Sequence, residues 1–70
     1  MNYKNLCPRE IEVILATAEG LTDLEIALEL CISRHTVDTY QRRIREKLNA
    51  KSKAHSVAIY YTNHYNTKRS

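Results

Sequence analysis

Ser33-Arg34-His35-Thr36-Val37-Asp38-Thr39-Tyr40-Gln41-Arg42-Arg43-Ile44-Arg45-Glu46-Lys47-Leu48 is the stretch on which the fold turns. Val37, Ile44 and Leu48 recur at helical spacing, so a helix over 34–48 has one apolar face that must turn inward. Ser33 stands at the N-cap, where its hydroxyl can accept a bond from an otherwise orphaned amide of the first turn. At the pitch of an α-helix this segment is about 22 Å long, enough to lie along a groove. Its outward side is left with Arg34, His35, Asp38, Thr39, Arg42, Arg43 and Arg45.

Working back toward the N-terminus, Cys31-Ile32-Ser33 reads as a tight turn joining this helix to a shorter one over 23–30. Thr22-Asp23-Leu24-Glu25 reads as the capping box that starts the shorter helix, and Ile26, Ala27 and Leu30 are its core positions. Before it lies a helix over 8–19, opened by Pro8, whose missing amide proton has no partner to lose at the first helical position. Its expected inward stripe is Ile11, Ile14, Leu15 and Ala18, and Gly20 is its left-handed stop. Beyond Leu48, Asn49 and Ala50 break the pattern, and Ser52 caps a fourth helix over 53–62 with Ala54, Val57, Ala58 and Tyr61 at helical spacing. Residues 63–70 are polar and read as a frayed tail. No stretch alternates with the period of a strand, so the expectation is one all-α domain over 1–70, a helix-turn-helix core of three helices plus a fourth at the C-terminus.

Charge divides the chain. Residues 1–32 carry two Lys and Arg against six Asp and Glu, a net of −4, whereas residues 33–70 carry nine against two, a net of +7. That asymmetry suits a chain whose second half meets a polyanion. A 70-residue chain buries only about 60% of the surface it exposes unfolded, which leaves little room for a sheltered catalytic cavity. Cys7 and Cys31 are too few and too far apart for a disulfide scaffold and read as reduced thiols of a cytoplasmic protein. The longest apolar run, Val13-Ile14-Leu15-Ala16, is far short of the roughly 20 residues that span a bilayer.

A short helix, a three-residue turn and a longer Arg-rich helix is the arrangement by which helix-turn-helix proteins read duplex DNA, the second helix entering the major groove. Arginines can fork onto guanine or pair with phosphate, a carboxylate such as Asp38 can accept from the cytosine amino group, and the Thr39 methyl can touch that of thymine. Arg34, His35, Arg42 and Arg43 complete the candidate base-facing set, with Arg42 and Arg43 its strongest members. Ser33 and Thr36, beside the positive end of the helix dipole, suit a phosphate oxygen.

The ordered blocks Leu6-Cys7-Pro8-Arg9-Glu10-Ile11-Glu12-Val13-Ile14, Gly20-Leu21-Thr22, Glu25-Ile26-Ala27, Ile32-Ser33-Arg34-His35-Thr36-Val37 and Ile44-Arg45-Glu46-Lys47-Leu48-Asn49-Ala50-Lys51-Ser52 resemble the LuxR/GerE/FixJ-type (NarL-type) helix-turn-helix domain. The resemblance covers Leu6 to Tyr61. It implies a transcriptional regulator of bacterial type, with base contacts at Asp38, Thr39 and Arg42 and backbone contacts at Thr36, Tyr40, Lys51, Ser52 and Lys53. Three departures stand out: Asp38 where the family commonly has a basic residue, Cys7 where it has a Ser or Thr cap, and an acidic second helix in place of a basic one. That acidic helix is expected to add little to the hold on DNA. The start at Met1 favours a stand-alone regulator of the GerE kind, with an excised output domain as the alternative.

The fourth helix is apolar over more than one face, and Val57, Ile59, Tyr60 and Tyr61 are the expected homodimer contacts, which would set two reading helices on an inverted repeat. Leu24 and Leu28 lie one turn apart on the second helix, either as a patch for polymerase or a regulatory protein or with one of them rotated into the core. A different class of function is also open: a small antagonist that pairs through its fourth helix with a full-length regulator. An RNA-binding module lacks the aromatic platform that base stacking uses. His35, His55 and His64 with two cysteines show no metal-ligand spacing, so no metal, cofactor or catalysis is expected.

Overall fold

The computed structural model describes residues 6–69, with side chains described through residue 62. Four helices follow one another: α1 (Pro8–Ala18), α2 (Asp23–Leu30), α3 (Arg34–Leu48) and α4 (Lys53–Arg69). Among the described residues there is no strand.

Each helix starts where a side chain can satisfy a free amide. Thr22 Oγ1 accepts from Glu25 N at 3.2 Å while Glu25 Oε1 accepts from Thr22 N at 2.8 Å, the reciprocal box expected from the sequence. Ser33 Oγ accepts from Thr36 N at 3.0 Å, and Ser52 Oγ accepts from His55 N at 3.1 Å. At α1 the reciprocal partner is the carboxylate: Glu10 Oε1 accepts from Cys7 N at 3.0 Å.

Three of the helices end alike, by a residue of left-handed conformation. Gly20 takes φ 96°, Cys31 φ 60° and Asn49 φ 56°. The amide of the following residue then reaches back: Leu21 N to Ala16 O at 3.2 Å, Ile32 N to Ala27 O at 3.0 Å and Ala50 N to Arg45 O at 2.8 Å. These closures turn the chain sharply between α1, α2, α3 and α4 and let α3 touch all three neighbours.

The core is Leu6, Val13, Ile14, Ile26, Ala27, Val37, Ile44 and Leu48. Val37, Ile44, Leu48, Ile26 and Ala27 are buried as their spacing requires, and Leu30 packs at the edge. The stripe expected on α1 is corrected. Its inward face runs through Glu10, Val13, Ile14 and Thr17, while Leu15 is exposed and Ile11 and Ala18 are half-buried. Rotation follows from the polar ends of that face, because Glu10 finds Lys47 on α3 and Thr17 finds Gln41 on α3. Burying a carboxylate without such partners would cost several kcal/mol, roughly, so the partners fix the helix's rotation.

α4 is also rotated from expectation, and it is longer. Ser56 is buried, with its hydroxyl bonded to Ser52 O at 3.1 Å, and Val57, Ile59 and Tyr60 pack against the core. Ala54 and Ala58 are exposed, and Tyr61 is half-buried beside Tyr60, the ring centroids 5.7 Å apart. The helix continues to Arg69 rather than ending near 62, because 63–69 contains neither glycine nor proline to stop it.

Candidate nucleic-acid interface

α3 is built with two unlike faces. Val37, Gln41, Ile44 and Leu48 are buried along one side. At 100° per residue, His35, Thr39 and Arg42 project from the opposite side, flanked by Asp38 on the edge toward α2 and by Arg43 on the other. Arg34, His35, Asp38, Arg42 and Arg43 are exposed and Thr39 is half-buried, so the first ten residues of α3 present all six expected base-facing side chains to solvent. The Arg-bearing side is uncovered at Arg34, Arg42 and Arg43 as expected, whereas Arg45, also expected to face outward, is half-buried.

Local bonds set how these side chains stand. Thr39 Oγ1 donates to His35 O at 3.2 Å. Asp38 Oδ2 and Arg42 Nη1 approach to 3.9 Å one turn apart, both more than half exposed. An exposed pair of this kind contributes at most about 0.5 kcal/mol, so Arg42 leaves it readily for a better acceptor. Asp23, Arg34, His35 and Asp38 surround a shallow polar hollow where α3 meets α2.

The expected backbone-contacting residues fall into two groups. Ser33, Thr36 and Tyr40 lie on the first turns of α3, where the Ser33 and Thr36 hydroxyls are 2.8 Å apart and Tyr40 packs at the core's edge. Lys51, Ser52 and Lys53 lie where α4 begins. Lys51 is exposed, and its amide donates to His55 Nδ1 at 3.1 Å. Lys53 differs, because its ammonium sits 3.1 Å from Asp23 Oδ1 on α2.

Composition and spacing missed the network that seats α3. Gln41 Nε2 donates to Thr17 Oγ1 at 2.8 Å and to Asp23 Oδ1 at 3.2 Å, and Thr17 Oγ1 donates in turn to Val13 O at 2.9 Å. With Lys53 on the same Asp23 oxygen, one chain of polar bonds joins all four helices. The available signal was positional, since Gln41 falls within the Val37, Ile44, Leu48 stripe. Glu10 and Lys47 form the second unforeseen pair, at 2.9 Å. Burial pushes the Glu10 carboxyl up, but the bonds from Lys47 and from Cys7 N outweigh it and hold its pKa below 4.5. No buried side-chain nitrogen or oxygen among the described residues lacks a partner.

Leu24 and Leu28 are both left in solvent, 53% and 72% exposed, so the helix is not rotated to bury either. Cys7 and Cys31 are free and exposed, and no metal-competent cluster of His, Cys, Asp or Glu occurs among the described residues. No helix among them is long and apolar enough to cross a membrane. His64 lies outside the residues whose side chains are described.

Residues 4–60 match the family model described as bacterial regulatory proteins, luxR family. The chain is 45% identical over 56 residues to the regulatory protein SdiA of Escherichia coli strain K12, an alignment covering 80% of this chain and 23% of SdiA. It is 35% identical over 66 residues to the probable transcriptional regulatory protein SgaR of Hyphomicrobium methylovorum, covering 94% and 31%. With the transcriptional regulatory protein LiaR of Bacillus subtilis strain 168 it shares 34% identity over 62 residues, covering 89% and 29%. The chain thus spans less than a third of the length of these relatives.

Proposed function

The chain belongs to the luxR family of bacterial regulatory proteins, and from that premise we propose that it is a sequence-specific transcriptional regulator that lays α3 in the major groove of duplex DNA. The observation that carries this reading is the exposed outer face of α3, which shows Arg34, His35, Asp38, Arg42 and Arg43 to solvent while the opposite face is wholly packed. Arg42 and Arg43 read bases or grip phosphate, Asp38 selects a cytosine amino group, and Thr39 touches a thymine methyl. Ser33, Thr36, Tyr40, Lys51, Ser52 and Lys53 hold the backbone on either side and set the register. Such a role places the protein with the DNA of the bacterial cytoplasm.

We propose further that it acts as a homodimer through α4. Val57, Ile59 and Tyr60 already pack at the core's edge, so a partner has their outer edges, Tyr61, and the hollow formed by His55, Ala58, Ile59 and Thr62. Leu24 and Leu28, both exposed on α2, supply a small surface for polymerase or a regulatory protein.

Selection of bound duplexes from a random pool tests the reading. An enriched inverted repeat with centres about 34 Å apart, one turn of the double helix, supports both groove reading and the dimer. Enrichment of a single half-site keeps the groove reading and removes the dimer. No enrichment, together with co-purification of a longer relative, favours the antagonist.

A further inference from the structure

Lys53 is one of the cations assigned above to the DNA backbone, yet its ammonium is already occupied. Asp23 Oδ1 lies 3.1 Å away, and the pair is only partly open to water, the lysine side chain 46% and the aspartate 21% exposed. Asp23 is itself held in place, because the buried Gln41 donates to the same oxygen at 3.2 Å and is anchored on Thr17 at 2.8 Å. The carboxylate is therefore a fixed acceptor at the start of α2, while the lysine is a flexible stem able to leave it. We infer that Asp23 restrains the hold on DNA: it competes with phosphate for Lys53, so the Asp23–Lys53 pair must open before the lysine can serve the backbone.

This inference rests on the DNA-binding reading above and specifies how one of its contacts is regulated. A phosphate contact by a free lysine releases about one counterion and steepens the fall of log K with log salt by about 0.9. A lysine already neutralised by a fixed carboxylate gives less of both. Asp23 thus lowers affinity for every duplex alike, since a backbone contact reports no sequence, and leaves the ratio of specific to non-specific binding unchanged.

Asp23→Asn separates the two duties of this residue, because the amide oxygen still accepts from Gln41 while the charge facing Lys53 is gone. The measurement is affinity for a selected duplex and for a shuffled one across a salt series, in four proteins: wild type, Asp23→Asn, Lys53→Met and the double variant. Wild type is read first, and absence of salt-dependent duplex binding there refutes the function rather than the restraint. The restraint predicts that Asp23→Asn binds both duplexes about three- to tenfold more tightly, with a slope steeper by close to one ion. It also predicts that the gain vanishes when Lys53→Met is added. Weaker or unchanged binding by a folded Asp23→Asn protein overturns the inference. So does a gain that survives Lys53→Met, which would reflect only the loss of a negative charge near DNA.

Discussion

The two sides of α3 follow opposite rules although they are drawn from the same 15 residues. On the inner side Val37, Ile44 and Leu48 are apolar, and the amide nitrogen of Gln41 is bonded across to Thr17 on α1 and Asp23 on α2. On the outer side the ion pair of Asp38 with Arg42 is stretched to 3.9 Å and open to water. The inner side is committed and the outer side is available. A small domain can hold a charged helix face in solvent because the other half of the same helix is packed against its neighbours.

That contrast is broken most severely from within. Ile44→Ala empties a fully buried position at the centre of the α3 packing, and truncations of this kind cost about 2–5 kcal/mol. In a domain of 70 residues total stability is itself only several kcal/mol, so urea denaturation is expected to find a largely unfolded population. A stability loss well below 1 kcal/mol would show that the inner side is not what organises the fold.

Glu10 gives the next largest effect, and its sign is fixed by its titration. Its folded pKa lies below the ordinary 4.5, so the stability it supplies is present above that value and is lost as pH falls through the lower, folded one. Thermal melting should hold level from neutral pH to about pH 5 and then drop, part of the drop tracing to this carboxyl. Glu10→Gln keeps an acceptor for Cys7 N but loses the charge facing Lys47, and is expected to cost roughly 1–2 kcal/mol at neutral pH and to flatten the acid limb. An acid limb unchanged by the substitution would remove Glu10 from the account of stability.

Leu24→Gln with Leu28→Gln is the mildest change, because both side chains are in solvent. Stability and duplex affinity should stay within about 0.5 kcal/mol of wild type. Activation in a transcription assay is the readout that should fall. Activation at the wild-type level would leave the leucines as ordinary surface residues.

How far these features could be read from the chain depends on whether their causes are local. Helix starts at Thr22, Ser33 and Ser52, and the stops at Gly20 and Asn49, follow from a residue and its near neighbours, and the structure has them. The outer face of α3 was legible because the spacing of Val37, Ile44 and Leu48 alone fixes what remains outside. Rotation of α1 was not, since it depends on Glu10 meeting Lys47, 37 residues further along. A charge also reads as a surface residue until its partner is known. Cys31 in a left-handed conformation carries no compositional mark, unlike Gly20. The face of α4 was ambiguous because tyrosines and aliphatic residues occur around the whole helix, and only contact with the other three decides which of them turn inward. Lys53 could be placed at the start of α4 but not against Asp23, 30 residues away.

Arg42→Ala, titrated against a selected duplex and a shuffled one with melting followed in parallel, decides whether the outer face of α3 reads duplex DNA. Arg42 is exposed on the outer face of α3, where its 3.9 Å approach to Asp38 is open to water. A loss of about 1–3 kcal/mol on the selected duplex, a smaller loss on the shuffled one and an unchanged melting temperature are expected if that face does. Equal affinity of variant and wild type for both duplexes would contradict that reading.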